Sequence, residues 1–104
     1  MLIKKKYPID KETFSNVISR VASLLKFIFN NLTLKFSEEN TSCYIDLPSK
    51  HLMLHLFATK TKYCVNIISD VPGYTNKNIE ISNTWNNFSM TRKIFNKIII
   101  LLNI

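Results

Sequence analysis

This chain of 104 residues contains one glycine, Gly73, and three prolines. Neither GxGxxG nor GxxxxGK followed by Ser or Thr can be written with a single glycine. Glycine-built dinucleotide and P-loop phosphate cradles are therefore excluded. Acids are also scarce, seven against fourteen basic residues. Asp46 and Asp70 each precede a turn, where aspartate has a backbone hydrogen-bonding job. No carboxylate pair suggests general acid–base work, and catalysis is not expected. Cys43 and Cys64 both lie in apolar contexts that raise a thiol's pKa, so neither reads as a nucleophile. They are expected to be reduced, buried, strand-borne thiols.

Long apolar runs are missing too. The apolar stripe of the first helical segment is interrupted by Arg20 and Lys26, and the tail KIIILLNI is far short of the roughly 20 residues that span a bilayer. The start, MLIKKKYPID, lacks the apolar run of a secretory signal. An intracellular, soluble protein with no membrane partner is expected, and sequons at Asn31, Asn40 and Asn87 are then incidental.

What is present suits one folded domain. Hydrophobic residues make up 46% of the chain and charged residues 20%, ordinary values for a globular protein. The formal net charge is +7. Such a charge points to an anionic partner, nucleic acid first and a membrane surface second. A competing source is codon usage: an AT-rich coding sequence writes Lys, Asn and Ile freely, and here Lys outnumbers Arg 12 to 2.

Residues 2–7 read as a short strand ended by Pro8. Asp10 is a helix N-cap. Phe14, Val17, Ile18, Val21, Leu24, Leu25, Ile28 and Leu32 then recur at helical spacing, predicting an amphipathic helix over five turns. Strands are predicted over 32–37, 42–47, 51–59, 62–69 and 78–82 from alternation and β-forming residues. Residues 38–41 form a turn, and Pro72-Gly73 suits a type II turn. Residues 89–100 carry Ser89 as an N-cap and Met90, Ile94, Phe95 and Ile98 at helical spacing. The final IIILLNI reads equally as a strand, since β-branched runs disfavour helix. The fold class is α+β: an antiparallel sheet with a long N-terminal amphipathic helix and a C-terminal helix packed on one face.

His51 and His55 stand four apart, as in a helical zinc pair. Their context alternates instead. On a strand, Leu52, Leu54 and Leu56 form a core face, and the histidines point outward about 13 Å apart, too far to share one ion. No metal or other cofactor is expected. The helices supply the more telling pattern. The first carries Lys11, Arg20 and Lys26 and one acid, Glu12. The last carries Arg92, Lys93 and Lys97 and no acid. Side by side on a sheet, they would offer phosphates a sequence-independent, salt-sensitive surface. Trp85, Phe88 and Tyr74 could stack on bases, although core and interface filling is the simpler role. The apolar end, with Ile100, Leu101 and Leu102, requires a cover from the chain itself, a second copy or a partner protein.

The order of elements resembles the N-terminal half of a sliding clamp of the proliferating cell nuclear antigen type. FSNVISRVASLLKFI (14–28) matches that family's first helix, and LTLKFSEEN (32–40) its following strand. DLPSKHLML (46–54) matches an aspartate-to-histidine motif, with His51 in the histidine's place, and NTWNNFSMTRKIFNKI (83–98) its second helix. The chain departs from the pattern in three respects. The aspartate-to-histidine segment is longer by one residue and holds Pro48. The stretch from His51 to the second helix is also longer. The match ends where a clamp continues into further strands and a second domain, which leaves two readings: a divergent, reduced relative of the kind viruses or virus-like elements carry, or a similar topology alone. The resemblance implies basic helices facing DNA, a partner-peptide pocket near Asp46 and His51, and no catalysis. The expected function is a non-catalytic, oligomeric accessory factor of a DNA or RNA polymerase. The alternative is a small protein-interaction subunit that makes no contact with nucleic acid.

Overall fold

Asp10 holds the start of the first helix. Its carboxylate accepts the Thr13 backbone N–H at 2.7 Å, satisfying one of the donors that a helix start leaves free. That hydrogen bond lowers the Asp10 pKa. The computed structural model describes residues 9–39, 41–84 and 86–102. Its elements run α1 (Lys11–Lys26), β1 (Thr33–Phe36), β2 (Ser42–Leu47), β3 (Leu52–Ala58), β4 (Lys62–Ser69), β5 (Lys77–Ser82) and α2 (Asn87–Leu102), with a 3-10 turn at Pro48–Lys50. The strand expected over residues 2–7 lies outside the described residues.

Five strands form one antiparallel meander in the order β1-β2-β3-β4-β5. The register aligns Leu34, Ile45, Leu54 and Ile67 across the sheet, and Phe36, Cys43, Leu56, Val65 and Ile79 in the neighbouring row. Because strand side chains alternate, both rows share one face. Both helices cover that face: Val17, Ile18, Val21 and Leu25 from α1 and Met90, Ile94 and Ile98 from α2 join the same buried cluster. The chain is an α+β domain, as its alternation and helical stripe indicate.

Three boundaries differ from the sequence reading. First, α1 stops at Lys26. The Phe27 N–H turns to the Leu24 carbonyl and Ile28 to Leu25, a tightened last turn before Asn30-Asn31, which are poor helix formers. Ile28 is consequently exposed, and Phe29 takes the buried place instead. Second, α2 starts earlier than the Ser89 cap implies. The Asn86 side-chain oxygen accepts the N–H groups of Phe88 and Ser89 at 3.0 and 3.1 Å, so Asn86 caps the helix and Ser89 sits within its first turn. Third, the isoleucine run is helical as far as Leu102. Packing of Ile94 and Ile98 into the core outweighs the modest β preference of each residue. Lys77 Nζ, on β5, also donates to the Leu101 carbonyl at 3.0 Å, placing a cation at the helix's negative end. The Pro72-Gly73 turn is as expected: Gly73 has φ 84° and the Tyr74 N–H donates to the Val71 carbonyl.

Tyr63, near the start of β4, packs against the first turn of α1, stacked on Phe14 with centroids 6.2 Å apart. Its hydroxyl is buried with no hydrogen-bond partner among the described residues, and burial raises its pKa to about 12. Tyr63→Phe is expected to match or exceed the wild type in stability, because it removes a desolvated polar group and keeps the ring. Tyr63→Ala is expected to lose about 3–5 kcal/mol. In the tail, Ile98→Ala should cost about 2–4 kcal/mol and Ile100→Ala less than about 0.5 kcal/mol. Urea denaturation of the four variants measures all of these differences.

Candidate nucleic-acid interface

With one face of each helix on the sheet, the remaining faces point away from it, and there the charge collects. Lys11, Arg20, Lys26, Arg92, Lys93 and Lys97 are all exposed. The two helices carry these six cations and one carboxylate, Glu12, whereas the other described residues carry five lysines and six carboxylates. Codon usage sets how many lysines a chain has, but not which face of the fold they occupy. The described ion pair, Lys62 with Glu80 at 3.3 Å, joins β4 to β5. Among the described residues, none of the six helix cations has an ion-pair partner.

The six do not form a single patch. Arg20, Ser23 and Leu24 of α1 meet Phe88, Thr91 and Arg92 of α2 around an open, largely apolar groove of about 560 Å³. The Arg20 guanidinium carbon lies 4.8 Å from the Phe88 ring centroid, within range of a cation–π contact. The four lysines lie elsewhere. At about 100° per residue, Lys93 and Lys97 are turned roughly 100° and 140° from Arg92, and Lys26 roughly 120° from Arg20. Lys11 is on the far side of α1. The groove therefore has an arginine on each wall, and the lysines occupy the flanks. Phe88 is 70% exposed, so it does not fill the core. Tyr74 is half-buried against the core, and Trp85 lies outside the described residues.

A second concave site sits at one end of the sheet. Asp46, Pro48, His51, Met53, Ile68 and Asp70 help to line a hollow of about 440 Å³. His51 is not on the strand. It closes the 3-10 turn with φ 54°, a left-handed conformation that histidine tolerates better than most residues. Its N–H donates to the Pro48 carbonyl at 3.2 Å, and Ser69 Oγ donates to its carbonyl at 2.7 Å. Asp46 and His51, linked in the sequence by the clamp resemblance, thus share one hollow. Ile100, Leu101 and Leu102 are not part of it. Leu101 and Leu102 are half-buried against the core, and Ile100 is 68% exposed.

The sheet face away from the helices carries a cross-strand row, Lys35, Tyr44, His55, Asn66 and Asn78. His55 stacks on Tyr44 with ring centroids 4.5 Å apart and tilts toward Phe57 at 5.2 Å. This packing depresses the imidazole pKa by desolvation. Leu54 and Leu56 are buried on the opposite face as expected, whereas Leu52 is only half-buried. Both cysteines are free and buried. Burial raises Cys43 to about 12 and raises Cys64 as well, helped by the nearby Glu80. Among the described residues, no three His, Cys, Asp or Glu side chains gather as a metal-holding group, and no helix is long and apolar enough to cross a membrane.

Sequence reasoning placed the cations on two helices but missed the groove. Its signal was present as two short triplets at i, i+3, i+4 spacing, Arg20-Ser23-Leu24 and Phe88-Thr91-Arg92, each containing one of the chain's two arginines. No family model, curated protein or solved structure matches this chain.

His55 leads to a pH prediction. Its folded-state pKa lies below the ordinary 6.5, so below that pH the unfolded chain takes up the proton first. Stability is therefore complete above about pH 6.5 and declines as pH falls toward the folded-state pKa. His55→Phe should flatten this decline when wild type and variant are compared by urea denaturation between pH 7.5 and 5.

Proposed function

We propose that this protein is a non-catalytic nucleic-acid-associated factor that holds phosphates on its helix layer. The observation that carries this reading is the segregation of charge: six unpaired cations and one carboxylate on the two helices, against near balance elsewhere among the described residues. Contacts of this kind neutralise phosphates without reading bases, and their strength falls steeply with salt through counterion release. The clamp resemblance supports the same orientation, with helices toward the nucleic acid, and adds the role of an accessory to a DNA or RNA polymerase. It also supports assembly with a partner protein or with further copies of the chain.

The hollow at Asp46 and His51 favours a second reading, a protein-interaction subunit. Met53 and Ile68, both exposed, beside two carboxylates suit a partner segment that is apolar and basic. In that case the helix charge would have no ligand.

The triple substitution Arg92→Gln, Lys93→Gln, Lys97→Gln separates the two readings. It should weaken binding to duplex or single-stranded DNA about 10-fold or more at 50 mM salt. It should also lower the slope of log K against log salt by about 2 to 3. Fluorescence anisotropy across a salt series measures both quantities. Wild-type protein that shows no salt-dependent binding to either DNA or RNA at low salt would rule out the nucleic-acid reading.

A further inference from the structure

The chain has only two arginines against twelve lysines, yet both line the same groove, beside an exposed phenylalanine. Lysine suffices where a positive charge must merely be near a phosphate. Arginine differs in its planar fork, which grips phosphate oxygens in pairs and stacks on rings. We infer that the Arg20–Phe88–Arg92 groove is a single-strand site, in which one unpaired base stacks on the part of the Phe88 ring that Arg20 leaves uncovered, while the flanking phosphates are held by Arg20 and Arg92. This inference rests on the proposed nucleic-acid function and names the form of nucleic acid that the groove takes.

Three features select this occupant. The groove is mainly apolar, and duplex phosphates gain nothing from an apolar floor, whereas a base presents a π-face to bury. Each wall contributes about one helical turn, Arg20 to Leu24 and Phe88 to Arg92. That length accommodates one nucleotide and is short for an amphipathic helix, which anchors through i, i+3, i+4 and i+7. An extended acidic peptide would need a strand edge to pair with, and both walls are helices. The groove's hydroxyls are engaged within their own helices, Ser23 Oγ to the Ser19 carbonyl and Thr91 Oγ1 to the Asn87 carbonyl. Recognition therefore falls to the ring and the two guanidinium groups. No carboxylate lines the groove to repel a phosphate.

The test compares Phe88→Ala with wild type by fluorescence anisotropy, using a labelled 12-nucleotide oligo(dT) and a duplex of equal length. Phe88 is exposed, so the variant should fold, and circular dichroism checks that it does. The expected result is about 5- to 100-fold weaker binding of the single strand, with duplex binding changed less than about twofold. Arg20→Lys and Arg92→Lys, which keep the charge, should each weaken the single strand several-fold, whereas Lys93→Gln should lower both forms alike. Equal loss on single strand and duplex, or no loss on either, overturns the site while leaving the helix-surface function standing. Competition by free thymidine monophosphate as strong as that of the oligonucleotide overturns a strand as the occupant. Phe88-dependent binding of an acidic peptide that excludes oligo(dT) overturns a nucleic-acid occupant. Absence of any binding at low salt overturns both this site and the proposed function.

Discussion

Burial of a single sheet face beneath two helices is the constraint from which the other features follow. The row Leu34, Ile45, Leu54 and Ile67 exists because the antiparallel register brings these positions opposite one another. That apolar row requires a cover. Val17, Ile18, Val21 and Leu25 of α1 and Met90, Ile94 and Ile98 of α2 contribute to it. Once the apolar stripe of each helix is turned inward, its polar face has no choice of direction. All helix cations then lie on the side of the molecule opposite the Tyr44–His55 stack. A one-residue slip in strand register would exchange the two sheet faces and remove the support from both helices.

The same constraint gives the two faces different chemistry. The helix side is positive, and its groove sets two arginines beside an exposed phenylalanine, with Arg20 over its ring. The bare sheet side is mixed in charge, with aromatic rings stacked across β2 and β3 and the Lys62–Glu80 pair bridging β4 and β5. Between them, at one end of the sheet, the Asp46–His51 hollow combines carboxylates with apolar side chains. A polyanion would be drawn to a positive surface in preference to a mixed or acidic one. A basic, apolar protein segment suits the third. The fold thus keeps two different surface chemistries apart.

Much of this was legible in the sequence, for physical reasons that can be named. The first helix announced itself through its 3.6-residue apolar period and Asp10. The strands of the middle region showed period-two alternation, bounded by Pro48 and Pro72-Gly73. What was hidden depended on competition between neighbours. Ile28 and Leu32 continue the apolar period, but the helix ends at Lys26, ahead of the poor helix formers Asn30 and Asn31. Asn86 and Ser89 are both good caps, and only the backbone shows which of them takes the orphan N–H groups. The run Ile98–Ile99–Ile100 has strand propensity, and long-range packing of Ile98 decides it as helix. The six candidate cations were correctly seen as helix-borne and exposed. Their division into an arginine groove and lysine flanks depends on where α1 meets α2, which no single-helix pattern contains. His51 escaped because the 3-10 turn at Pro48 shifts the start of β3 by one residue.

The central claim is that nucleic acid meets the helix layer and leaves the sheet face free. Backbone amide NMR of the uniformly 15N-labelled protein, titrated with a short oligonucleotide, tests this most directly. Perturbed resonances confined to α1 and α2, centred on Arg20, Leu24, Phe88 and Arg92, are the predicted result. Perturbation centred instead on Tyr44, His55 and Asn66, or none in either layer at low salt, would contradict it.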